Sequence, residues 1–386
     1  MRVVSLRGEA VDSPARTWHR LSAALREELR HHTRLHPSTR PWEMPLAAAA
    51  ASGLPLLVGV WYERLDLGLV ATLGGLVFLS LPDTRLQHRM VLLMAVAFAT
   101  IACYALGALT HFFPAALIIA LTLLTLVASM AARFYRLSPP GILFMLMAAS
   151  IAAYSPTPLM DIPARVGLVT LGALLACLLA FAYSLLQLRR GPLDGEALAP
   201  QFDFDRVVID SVVIAACVGL SLLLAELLGL ARPYWVPVSC LAVIQGASLR
   251  MVWNRSVQRV FGTVAGLALA WLLLTLPLGD WGIVAAMIAL SFIIEVLVVR
   301  HYGLATLFIT PLTILLAEAG SRTGLSPMAT MQARAIDTAL GGVIGLLGGM
   351  ALHVPAFRAR MAAAIRPLQR RLGGGPPPAD PRDARE

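Results

Sequence analysis

The stretch MVLLMAVAFATIACYALGAL, residues 90–109, runs for twenty residues without a charge. A helix of about 20 apolar residues crosses the ~30 Å hydrocarbon core of a bilayer, and in that solvent a helix keeps every backbone group hydrogen-bonded. Similar runs extend outward from it. Before it lie 44–61 and 65–81, and after it 112–132, 141–155 and 166–188. A polar linker follows, then a second set at 207–230, 235–247, 258–277, 281–299, 303–317 and 335–353. The chain of 386 residues is 58% hydrophobic and 14% charged, well below the ~25% charged residues of soluble chains. Its mean hydropathy is +0.76. These features predict an all-α polytopic membrane protein with twelve transmembrane helices in two six-helix sets. Segments 235–247 and 303–317 are short for a straight span, a pattern expected of broken or re-entrant helices beside a substrate site.

The predicted organisation is a polar segment 1–42, a first membrane repeat 43–188, a linker 189–206, a second repeat 207–354 and a tail 355–386. Segment 1–42 lacks the apolar core of a signal peptide. Its Trp18, Leu21, Leu25 and Leu29 recur at helical spacing among Arg20, Arg26, Arg30 and Arg34. That suits a basic amphipathic helix, lying either in the headgroup plane or on the protein's own loops. The end of the tail, GGGPPPADPRDARE (373–386), has the composition of a disordered segment.

All 31 basic residues are Arg. With the N-terminus in the cytoplasm, 26 of them fall on the cytoplasmic side and 5 on the other, which is the positive-inside asymmetry of a multi-pass protein of the bacterial inner membrane with both termini inside. The net charge of +9 therefore needs no nucleic acid, since the arginines are spread over loops without interleaved aromatics. Absence of Lys removes the Walker-type phosphate loop and Schiff-base chemistry. Cys103, Cys177, Cys217 and Cys240 all sit in apolar runs without metal-ligand spacing, and the His-Glu-x-x-His pattern is absent. The expectation is a protein that is not an enzyme and needs no cofactor or metal.

The two sets match at about 169 residues. Ala164-Arg165 and Leu171-Gly172 align with Ala333-Arg334 and Leu340-Gly341, and Gly172, Ala176 and Ala180 align with Gly341, Gly345 and Gly349. Stripes of small residues let helix backbones approach closely in lipid. Arg89 and Arg259 correspond as well. Six spans per set make the repeats parallel, with a site expected between them.

Ionisable residues within spans are costly and point to function, and they gather in the second set as Asp210, Glu226, Glu295, Arg259, Arg334 and Asp337. Arg334 and Asp337 are three apart and share a helix face. Asp337 reads as a proton acceptor whose proton affinity depends on whether Arg334 holds an anion, or else as half of a static ion pair. Arg259 opens RVFGTVAG, whose Gly262 and Gly266 form a packing face. It either attracts anions or snorkels to headgroups, while neighbouring Arg250 and Arg255 add to an electropositive mouth. Glu295 calls for a partner, with Arg259 and His301 in reach along the sequence. Tyr234 and Trp235 read as belt anchors or as a stacking surface for an aromatic ring. Thr310-Pro311 is expected to break the eleventh segment and free carbonyls along a pathway.

On these residues the chain resembles the fusaric-acid-resistance family of membrane transporters, which includes bacterial aromatic carboxylic acid exporters. The similar stretches are RPYWVPVSCLAVIQG (232–246), RSVQRVFGTVAGLALA (255–270), RHYGLATLFITPLTILLAE (300–318) and RAIDTALGGVIG (334–345). The resemblance implies an inner-membrane efflux transporter for small aromatic or other weak organic acids, driven by protons. It points to Tyr234, Trp235, Gln245, Arg259, Gly262, Thr263, Tyr302, Thr310, Pro311, Arg334 and Asp337. The implied partners are the lipid bilayer, a small organic anion and protons, with a periplasmic adaptor or a homo-oligomer left open. Distant plant anion channels keep a passive channel open as an alternative, and the packing stripes alone fit a membrane scaffold.

Overall fold

The computed structural model describes residues 40–137, 140–193, 195, 203–246, 248–318 and 327–371. The proposed amphipathic helix around Trp18–Leu29, most of the linker and the end of the tail lie outside them. Every regular element among the described residues is helical. The first half comprises α1 (Glu43–Trp61), α2 (Leu65–Gly75, continued by a 3-10 turn to Ser80), α3 (Leu86–Thr110), α4 (Pro114–Phe134), α5 (Leu143–Tyr154) and α6 (Ile162–Leu188). The second comprises α7 (Phe204–Leu227), α8 (Trp235–Ile244), α9 (Leu249–Thr275), α10 (Asp280–Val298), α11 (Tyr302–Glu318) and α12 (Pro327–His353). A terminal helix α13 (Pro355–Arg371) follows.

Local chemistry sets several helix starts. Asp203 and Ser248 cap α7 and α9 by accepting the amides of Arg206 and Met251, each at 3.2 Å. Pro114 sits in the first turn of α4, where its missing N–H costs nothing. Eight helices are long and apolar enough to cross a bilayer, and the shorter apolar ones are the second and fifth of each half. All ten residues of α8 are buried. At about 1.5 Å per residue this helix covers roughly half the hydrocarbon core and cannot cross it alone.

Each half is built on the same contacts. Its second helix packs on its sixth, its third on its fifth, and its third on its sixth. The small residues found by sequence matching mediate the first of these. A Cβ at Gly172 would collide with the Ala71 carbonyl of α2, and one at Gly341 with the Val236 carbonyl of α8. In the second half the third and fifth helices meet where Gly262 and Gly266 face Thr306 and Thr310, a Cβ at either glycine falling 2.7 Å from a threonine Cβ.

Pro311 lies inside an unbroken α11, contrary to the expected break. Its missing N–H leaves the Leu307 carbonyl without its helical donor. That carbonyl faces Gly266, whose added Cβ would sit 2.6 Å away, so the freed group lies at the contact between α11 and α9.

The halves interlock. The fourth helix of each packs on the first helix of the other, α4 on α7 and α10 on α1. At the centres of these contacts Gly219 meets Thr122 and Gly53 meets Ile288. Gly53 and Gly219 lie 166 residues apart, as do Thr122 and Ile288, so the two crossings are equivalent. Between the halves α5 packs on α8, and Tyr104, Met147 and Ala148 of the first half share a core with Tyr234, Trp235 and Val238 of the second.

A buried pair of arginines in the second half

Four helices of the second half, α8, α9, α11 and α12, bring together residues spread over a hundred positions. Arg334 is the eighth residue of α12 and Arg259 the eleventh of α9, and both helices have 27 residues. At about 1.5 Å per residue each lies ~10–15 Å in from its helix start, α9 entering from the Arg-rich face and α12 from the opposite one. Neither side chain snorkels. Arg334 is 5% exposed, Arg259 6% and Asp337 0%.

The Arg334 guanidinium lies over the Trp235 ring, 3.8 Å from its centroid, and its Nη2 donates to the Thr313 hydroxyl at 3.0 Å. Its Nε and Nη1 have no hydrogen-bond partner among the described residues. Arg259 donates from Nη2 to Ser239 at 3.2 Å and from Nη1 to the Tyr302 hydroxyl at 3.4 Å, and its Nε is likewise unmatched. Arg255 lies above the other side of this array, 5.7 Å from the Tyr302 ring centre. Both carboxylate oxygens of Asp337 are buried without a hydrogen bond. Arg334 and Asp337 act on each other only through their charges, and Arg334 also feels Arg259.

Two buried guanidiniums, hydrogen-bonded only to neutral hydroxyls, share this compartment with one carboxylate that bonds to neither. A buried charge is tolerated when it is paired and its hydrogen bonds are met. Arg89, the first-half counterpart of Arg259, is 2% exposed, but its Nη2 donates to the solvent-exposed Asp83 carboxylate at 2.6 Å and its Nε to the Thr84 carbonyl at 2.6 Å. At the position matching Asp83 the second half has Trp253.

Other predicted residues fall elsewhere. Tyr234 and Trp235 are buried, so they are not belt anchors. Tyr234 stacks between Trp235 and Tyr154 of the first half, with ring centres 5.3 and 5.6 Å away. The Tyr154 hydroxyl donates to Glu226, which bridges the halves at the outer end. Glu295 is outside the cluster. Its ion-pair partner is Arg40 at 3.9 Å, not Arg259 or His301. His301 instead accepts the Leu304 amide and caps α11. Gln245 ends α8 at the seam, where Gly141 of the first half approaches its side-chain amide. Thr310 bonds the Thr306 carbonyl of its own helix at 3.0 Å. Gly345 and Gly349 are helix-packing positions against Cys240 and Val252. Sequence reasoning missed Ser239 and Thr313, because a buried hydroxyl in an apolar helix carries no distinguishing pattern.

Among known proteins, residues 220–348 match the family described as fusaric acid resistance protein-like. That span includes α8 to α11, most of α12 and every member of the arginine cluster. The uncharacterized membrane protein YvaC of Bacillus subtilis (strain 168) is 36% identical over 191 residues, 47% of this chain and 30% of that protein. The chain thus spans less than a third of that relative. No solved structure matches.

Proposed function

We propose that this membrane protein is a transporter that exports small organic anions, aromatic or other weak acids, from the cytoplasm across the inner membrane. The observation that supports it is the contrast between Arg89, hydrogen-bonded to a carboxylate, and Arg259 with Arg334, whose hydrogen bonds go only to hydroxyls although both are buried. A substrate carboxylate supplies the missing acceptor, and charge-assisted bonds from a guanidinium are the strongest available for it. The anion enters from the Arg-rich face past Arg255, exchanges onto Arg259, and then reaches Arg334 beside Trp235. Burial of the whole cluster suits a carrier with a closed site better than an open pore.

Asp337 carries the coupling proton in this reading. Arg259 and Arg334, with Arg232 also acting on Asp337, leave an excess of positive charge that a bound monoanion reduces. Release of the anion outside is coupled to protonation of Asp337, which gives its proton up to the cytoplasm before the next anion loads. In proteoliposomes, flux from a panel of aromatic and aliphatic weak acids is expected to fall about a hundredfold in Arg259→Gln and Arg334→Gln, as for loss of a buried charge partner. Asp337→Asn is expected to keep substrate exchange while removing its dependence on a pH gradient. Flux of the parent protein that ignores the pH gradient overturns proton coupling. Currents that follow voltage alone identify a channel.

A further inference from the structure

The interlocked helix pairs are each tied by charge at the same face. At the Arg-rich end of the α4–α7 crossing, Arg133 Nη1 donates to Asp210 Oδ2 at 2.7 Å. At the Arg-rich end of the α10–α1 crossing, Glu295 pairs with Arg40, just before α1, at 3.9 Å. The polarity is exchanged: the fourth helix brings the cation in one crossing and the anion in the other. The carboxylates are mostly buried, Asp210 with a side chain 7% exposed and Glu295 with 13%. Asp210 holds a second cation as well, since Arg358 of α13 donates to its Oδ1 at 3.3 Å. Both carboxylates sit on the helices that flank the arginine cluster, α7 packing on α8 and α12, and α10 on α11.

We propose that Arg133–Asp210 and Arg40–Glu295 are a pair of gate latches that hold the two halves together at the Arg-rich face, with α13 fastening the first through Arg358. The inference rests on the transport reading for its meaning as a gate, but not for its geometry. At the opposite face the contacts between the halves are of another kind, the largely exposed Trp61 edge-on to Trp281 at 6.3 Å and the Tyr154 hydroxyl on Glu226. Ion pairs at one end and aromatic contacts at the other allow one face to part while the other stays shut, the requirement of alternating access.

The test uses the full chain with its four cysteines replaced by serine and Ile214→Cys as reporter. Ile214 is 2% exposed on α7, one turn beyond Asp210 on the same helix face. In inside-out vesicles, labelling by a water-soluble maleimide is expected to be slow in the reporter protein and about tenfold faster in Asp210→Asn and in Glu295→Gln, as a shift toward the open population requires. The reversed pair Arg40→Glu with Glu295→Arg is expected to restore slow labelling, which a merely misfolded protein would not do. Separately, Arg133→Cys with Asp210→Cys, bridged by a short thiol cross-linker, is expected to lose weak-acid flux. Labelling that is equal in all variants, or full flux in the bridged protein, overturns the gate. A protein whose labelling responds but which moves no acid retains the latches and removes the transport reading.

Discussion

Arg334 rests on the ring of Trp235 and hydrogen-bonds Thr313, while Asp337, one helical turn away on the same face, makes no hydrogen bond to it. A cation over an indole in a dry setting is stabilised by about 2 kcal/mol. The aromatic face thus holds the guanidinium in place without using up its remaining donors or neutralising its charge. A carboxylate in the same role would compete with substrate.

Trp235→Leu removes this support and leaves the guanidinium in an apolar wall. The expected result is a loss of about 2 kcal/mol in stability, with Trp235→Phe losing less because a weaker quadrupole remains. Thermal unfolding of the purified protein in detergent checks the order, parent above Phe above Leu. Equal midpoints for all three would show that the ring contributes nothing to Arg334.

Helix approach gives a second contrast within one dipeptide. A Cβ at Gly341 would fall 2.7 Å from Ser239 Cβ and nearer still to the Val236 carbonyl, whereas one at Gly342 meets nothing within 4 Å. Gly341→Ala must push α12 away from α8, at a cost of about 1–3 kcal/mol. Gly342→Ala faces open space and is expected to be neutral or to stabilise by up to about 1 kcal/mol. Unfolding midpoints of the two variants should move in opposite directions or differ by several degrees.

The membrane class, the helix segments and the charged residues of the cluster were legible in the sequence because lipid imposes simple rules. Length and apolarity mark a span, and an arginine such as Arg334 within one is expensive enough to stand out. The packing stripe at Gly172 and Gly341 was legible for the same reason. Partners were not. Arg133 meets Asp210 across 77 residues and Arg190 meets Glu43 across 147, separations that periodicity does not encode. Nor did the repeat reveal that its halves interlock, since crossing helices and separate bundles present the same apolar faces. Pro311 misled because a proline inside a helix need not end it: α11 runs on through it, and the freed Leu307 carbonyl packs against Gly266 of α9.

The matched arginines of the two halves offer the sharpest separation of structure from function. Arg89 is buried and hydrogen-bonded by its own chain, through the exposed Asp83 carboxylate and the Thr84 carbonyl. Arg89→Gln is therefore expected to cost stability, about 1–3 kcal/mol for the hydrogen bonds to a charged group, with transport per folded molecule retained. Arg259 spends its donors on two neutral hydroxyls, so Arg259→Gln relieves a buried charge and is expected to leave the unfolding midpoint unchanged or raised while flux collapses. Thermal unfolding and weak-acid flux measured on the same two preparations check both halves of the contrast. Matching phenotypes for the two substitutions would mean that the second-half arginine is structural like its counterpart, and the anion site would have to lie elsewhere.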